Sequence, residues 1–272
     1  MDATYWHRQG SESLFPELEW NKPERRDQAG RLLIVGGNVH ALTAPGKAYE
    51  GVLKTGIGSA KIALPDKTKR LVGQTLPDAV FLPSTPSGEF SQEGSHELLE
   101  YALWADTVLL PGDNGRNSQT TIILEELMKS YTGQIVATRD AVDSLVNTPE
   151  TMLSREKTTL VVSFAQLQKL IKNTDSSQPL QFSMSLVQLV EFLHDLTLQH
   201  PAGIITLHQN QLVAAVNGSI STTKLPVDET EPPHWRLQTA TLAACHQTWN
   251  PIKPFEALAH TAFVAQSAYG ND

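Results

Sequence analysis

The chain has 272 residues, 40% of them apolar and 18% charged, which is enough hydrophobic material for a sizeable core and too little charge for a disordered chain. Lysine and arginine number 21 against 29 aspartates and glutamates, a net charge of −8 that disfavours non-specific nucleic-acid binding. The one cysteine, Cys245, excludes an internal disulfide framework or a zinc site built on several thiolates.

Met1 to Arg8 lacks the charged-then-apolar layout of a signal peptide, and no run approaches the ~18 apolar residues of a membrane span. A cytoplasmic protein is therefore expected. Residues 1–30 are polar, with Pro16, Pro23 and the charge run Glu24 to Asp27, and read as an N-terminal arm. From Arg31 a βα alternation begins. Leu32–Val35, closed by Gly36-Gly37, predicts a strand buried on both faces. Ala44–Thr55 predicts a helix, with Pro45 tolerated in its first turn. Further strands are expected at Ala60–Leu64, Ala79–Leu82, Thr107–Leu110 and Ile135–Thr138, with helices at Ser95–Trp104 and Ser118–Tyr131.

In the second half, strand Thr159–Val162 precedes helix Phe164–Lys172, a polar loop, and a long helix from about Ser183 to Gln199. Strands Gly203–Leu207, Gln211–Val216 and Ser219–Leu225 come next. The last two are joined by Asn217-Gly218, a strong hairpin signal. A proline-rich flap spans residues 226–233, and helices Leu237–Thr248 and Pro254–Ser267 end the chain. The alternation implies an α/β three-layer sandwich: a mostly parallel sheet with helices on both faces and an antiparallel edge hairpin. Residues 31–272 read as a single domain.

Ligands in such sheets bind where loops leave the carboxyl ends of the strands. Gly36-Gly37-Asn38 succeeds the first strand and permits close backbone approach to a ligand, or simply a tight turn. Neither a G-x-G-x-x-G fingerprint in the right place nor a P-loop is present. Pro111-Gly112-Asp113-Asn114-Gly115-Arg116 leads into a helix. It suits an anion at the helix start, or a plain turn with Ser118 as N-cap. Asp140, after the next strand, can touch a ligand or cap the short turn beyond it. The nine histidines give no tight metal-ligand spacing, and Cys245 among alanines reads as core packing.

Taken in order, these motifs resemble the ADP/ATP-dependent NAD(P)H-hydrate dehydratase family, which is ribokinase-like and part of the carbohydrate kinase superfamily. Gly36-Gly37-Asn38 is similar to that family's G-G-S turn, and Lys54 to Ala63 to its R-A-G-A-G-L-V-T-V-A segment. Pro111-Gly112 is similar to its G-P-G-L-G loop, Val136 to Val142 to its V-L-D-A-D-A-L, and Pro254-Phe255-Glu256-Ala257 to its D-P-F-E-A. The resemblance runs over roughly residues 30–268. It implies a ribokinase-like fold, ATP or ADP with magnesium as cofactor, and phosphorylation of a hydrated NAD(P)H with subsequent loss of phosphate. The implied partner is a nucleotide or an NAD(P)H-like dinucleotide, with no nucleic acid and no membrane, and a homo-oligomer is compatible. The implied substrate contacts are Asn38, Ala44, Gly112, Asp113, Asp140 and Ser163. Nucleotide contacts fall on His208, Asn210, Gln211 and Leu237.

Departures concentrate in the functional loops. The family's catalytic G-T-G-D falls on Trp235-Arg236-Leu237-Gln238, so Gln238 stands where the aspartate base belongs, and an amide cannot take that proton. H-P-G-E falls on Ser163-Phe164-Ala165-Gln166. The lysine of K-G-x-x-T is missing near Leu207 to Gln211. Two readings are open: a catalytically degenerate member that at most binds a nucleotide or dinucleotide, or an active dehydratase or small-molecule kinase in which Asp113 or Asp140 replaces the base.

Overall fold

The computed structural model describes residues 4–73, 75–174, 179–226 and 234–268. Most of the flap read at 226–233, with Asp228 in it, lies outside them. Ten strands form one sheet. In chain order they are β1 (Trp6–Arg8), β2 (Arg31–Gly36), β3 (Ser59–Pro65), β4 (Ala79–Leu82) and β5 (Thr107–Gly112). β6 (Gln134–Thr138), β7 (Thr158–Ser163), β8 (Gly203–His208), β9 (Gln211–Val216) and β10 (Ser219–Lys224) complete it. The spatial order is β1-β10-β9-β8-β7-β6-β5-β2-β3-β4. From β4 to β8 every neighbour is parallel, and β9 and β10 add the expected antiparallel hairpin. At its tip Asn217 and Gly218 both take positive φ, 51° and 76°, the combination a two-residue turn of this hand requires.

Parallel central strands are covered on both faces, so their sequences read as unbroken apolar runs. Leu33 and Val35 of β2 pack to one side, and Leu32 and Ile34 to the other. The first side is covered by α3 (Ser95–Trp104), α4 (Ser118–Ser130), α7 (Phe164–Lys172) and α8 (Leu186–Gln199) through Leu98, Leu124, Leu167 and Leu193. The second is covered by α1 (Thr43–Thr55), α9 (Trp235–Trp249) and α10 (Pro254–Ala268) through Val52, Ala240 and Leu258. Three short helices are α2 (Lys69–Val72), α5 (Asp140–Ser144) and α6 (Glu150–Leu153).

Several expectations change. Residues Trp6–Arg8 of the arm pair in parallel with β10, extending the sheet. The N-cap of α4 is Asn117, whose Oδ1 accepts from Gln119 N at 2.9 Å, and Ser118 is already inside the helix. Asp140 is not a cap on its own turn; it is the first residue of α5, whose N-cap position is Arg139. Finally, α9 starts at Trp235 rather than Leu237.

The chain places β3 and β4 on one side of β2, then crosses to put β5 on the other. At such a reversal, between the loops at the carboxyl ends of β2 and β5, doubly wound sheets form the crevice in which they receive ligands.

Candidate functional site

At the reversal, glycines let the two strand ends meet. Gly37 N donates to Gly112 O at 3.2 Å. A Cβ on Gly36 would lie 2.6 Å from that same oxygen, so no other residue fits without a shift. Gly112 has φ +101°, and a Cβ there would stand 2.2 Å from Asp140 Oδ1. The space is taken by the Asp140 carboxylate, which accepts from Asp113 N at 2.7 Å through Oδ1 and from Asn114 N at 2.8 Å through Oδ2. Asp140 thus clamps the loop after β5 to the start of α5.

Asp113 takes φ +62° and sits at the centre of the cluster. Its Oδ2 accepts from Ala44 N at 2.7 Å, in the first turn of α1, whose own N-cap residue, Leu42, supplies no side-chain bond. Its Oδ1 takes Arg139 Nη2 at 3.0 Å, and its carbonyl accepts from Asn38 Nδ2 at 2.7 Å. Gln166 extends the network: its Nε2 donates to Arg139 O at 2.8 Å and Asp143 Oδ2 at 2.9 Å. It also closes a capping box with Ser163, a pattern legible as Ser-x-x-Gln at a strand-to-helix junction. Asn38, Ala44, Asp113, Asp140 and Ser163 are therefore linked in one hydrogen-bonded network, and Gly112, bonded through its carbonyl to Gly37 N, packs beside Asp140.

Beside Ser163, the β8–β9 turn carries the nucleotide candidates. His208 is bonded through Nε2 to Met184 O at 2.8 Å and stacks on Phe164 with ring centroids 4.9 Å apart. Asn210 Nδ2 donates to Leu225 O at 3.1 Å, and Gln211 opens β9 opposite His208. The start of α9 divides its side chains. Trp235 and Leu237 are buried, while Arg236 reaches the strand-end network with Nη1 2.6 Å from Gln166 Oε1. Gln238 is exposed and lines a groove of about 560 Å³ against α1, with Lys47, Glu50, Lys54, His234 and Thr241. The structure brings Arg236, not Gln238, to the strand ends. Arg139, Asn114 and Arg236 were not singled out from sequence, because nothing local distinguishes them from solvated turn residues.

No family model matches the chain. The bifunctional NAD(P)H-hydrate repair enzyme Nnr of Methanothermobacter thermautotrophicus is 30% identical over 95 residues, 35% of this chain and 18% of that protein. The match thus spans less than a fifth of that relative's length. Among solved structures, a ribokinase-like superfamily protein from Enterococcus faecalis superposes with TM-score 0.73 at 13% identity, covering 100% of this chain and 91% of that one. The fold is ribokinase-like. An ADP/ATP-dependent NAD(P)H-hydrate dehydratase from Bacillus subtilis, co-crystallised with ATP and magnesium, superposes with TM-score 0.65 at 12% identity, covering 95% and 89%. The resemblance carried by the strand-end motifs thus has its counterpart among folds.

Within this ribokinase-like frame, no group of three or more His, Cys, Asp or Glu among the described residues is placed to hold a metal ion. Both oxygens of Asp113 and of Asp140 already accept hydrogen bonds from backbone N–H groups or from Arg139. The first turn of α9 carries Arg236 between the buried side chains of Trp235 and Leu237.

Proposed function

We propose that this ribokinase-like protein binds a nucleotide or an NAD(P)H-like dinucleotide at the carboxyl edge of its sheet and does not turn it over. One observation carries the reading: the side chain extended from the first turn of α9 to the strand ends is Arg236, a permanent cation that cannot accept a proton. A replacement base must come within ~3 Å of the reacting hydroxyl with a lone pair to spare. Asp113 and Asp140 instead hold loops together. The arginines and the backbone turns at the strand ends remain suited to binding an anionic molecule. No helix among the described residues is long and apolar enough to cross a membrane.

Purified protein given ATP or ADP, magnesium and hydrated NADPH is expected to show no turnover above buffer. Calorimetry with ATP, ADP, NADP and NADPH is expected to show at least one binding event. Turnover would overturn the degenerate reading, and silence with all four ligands would overturn binding. Gln238→Asp is expected to restore nothing, since the new carboxylate would enter the α1 groove.

A further inference from the structure

We infer that Asn114 is a ligand-contacting residue of the strand-end crevice and selects a planar group with an adjacent acceptor and donor, such as a primary carboxamide. The inference rests on the binding reading above. Asn114 comes directly after Asp113 in the loop leaving β5 and has no solvent exposure. Neither its Oδ1 nor its Nδ2 has a hydrogen-bond partner, whereas Asn38, Asp113, Asp140 and Gln166 around it are all bonded. Folded proteins leave few buried amides unpaired at both ends, because each lost partner costs the group its hydration without return.

The amide is directed at the reversal point of the sheet. Its Oδ1 lies 3.4 Å from where a Cβ on Gly36 would stand, so a larger residue at 36 would crowd it. A carboxamide offers Asn114 a complete match, its carbonyl accepting from Nδ2 and its N–H donating to Oδ1. A carboxylate leaves Oδ1 without a donor and stands near Asp113 and Asp140, a like-charge arrangement. The nearby turn Asn38–Ala41 is tied down by Asn38 Nδ2 donating to Asp113 O and Val39 N donating to Gly88 O, bonds that a ligand reaching Asn114 through this turn would release.

The test is calorimetry of NADP and of its nicotinic acid counterpart, which carries a carboxylate in place of the carboxamide, on wild type, Asn114→Leu and Asn114→Ala. Wild type is expected to hold the carboxamide form at least about tenfold more tightly. Asn114→Leu is expected to lose most of that preference. If that variant does not fold, the smaller Asn114→Ala, which also removes both amide atoms without adding charge, reports instead, with the same loss expected. A preference that survives in the folded variant comes from Asp113 and Asp140 and overturns the assignment. Equal binding of both compounds by wild type overturns it while the binding reading stands; binding of neither overturns it too, and the binding reading falls with it only if ATP, ADP and NADPH are silent as well. A crystal structure with NADP bound and an ordered water pairing both Asn114 amide atoms also overturns it.

Discussion

Asp140 shows how a single side chain can be legible in its place and not in its task. A carboxylate just after an apolar strand marks a strand end, and the sequence offers ligand contact or a cap on its own turn. The structure has it holding two consecutive N–H groups of another loop, a partner pair separated by a whole βα unit and therefore invisible to local reading. Asp140→Ala should strip both acceptors and lower unfolding free energy by about 2–4 kcal/mol. Asp140→Asn should cost less, because an amide oxygen still accepts one of them. Urea denaturation distinguishes the two, and equal stability of all three proteins would contradict the clamp. Gly112 belongs to the same arrangement: with φ +101° and a would-be Cβ 2.2 Å from the carboxylate, Gly112→Ala should cost at least about 1–3 kcal/mol in the same assay.

At the scale of elements, local rules work where a cap is supplied by the chain's own neighbouring residues. Helix α7 starts where Ser163 and Gln166 form a capping box, and the apolar stripe after them makes the helix legible. Helix α1 is different. Its N-cap residue supplies no side-chain bond, and Asp113 provides an acceptor from across the sheet. Asp113→Ala should therefore destabilise the start of α1, seen as faster amide hydrogen exchange at Ala44 and its neighbours. Ser163→Ala should cost about 1 kcal/mol and speed exchange only at the start of α7. The strand β1 escapes sequence reading for a related reason. Trp6–Arg8 is short and polar, and only the free edge of β10 makes it a strand.

At the scale of the whole molecule, a buried pair of histidines on the helices α9 and α10 makes folding sensitive to acid. His246 of α9 bonds through Nδ1 to Thr261 Oγ1 at 2.9 Å, and its ring centroid is 4.8 Å from that of His260. Burial, with a smaller contribution from His260, pushes His246 down to about 3. Burial also lowers His260, against the opposing charges of Glu19 and Glu17. Both are held neutral in the folded protein, so the unfolded chain binds the extra protons below its ordinary histidine value. Stability contributed by the pair is present above about pH 6.5 and is lost as pH falls below it, by at most about 1.4 kcal/mol per pH unit for each histidine. Urea midpoints measured from pH 7.5 to 4.5 should fall accordingly, and a folded His246→Phe variant should show a shallower fall. A wild-type midpoint that stays level over this range would refute the account.

Apart from β1 and the short helices α2, α5 and α6, the order of strands and helices, the parallel sheet, the late hairpin and the strand-end loops are readable along the chain. They arise from apolar periodicity, glycine placement and turn chemistry within a few residues. Folding in three dimensions settled which side chain of the α9 start reaches those loops, Arg236 rather than Gln238, and made Asp113 and Asp140 structural acceptors. Those outcomes depend on helix phase and on partners from distant segments. A helix turns about 100° per residue, so a two-residue difference between neighbours is enough to send one side chain to the sheet and the other to an outer groove.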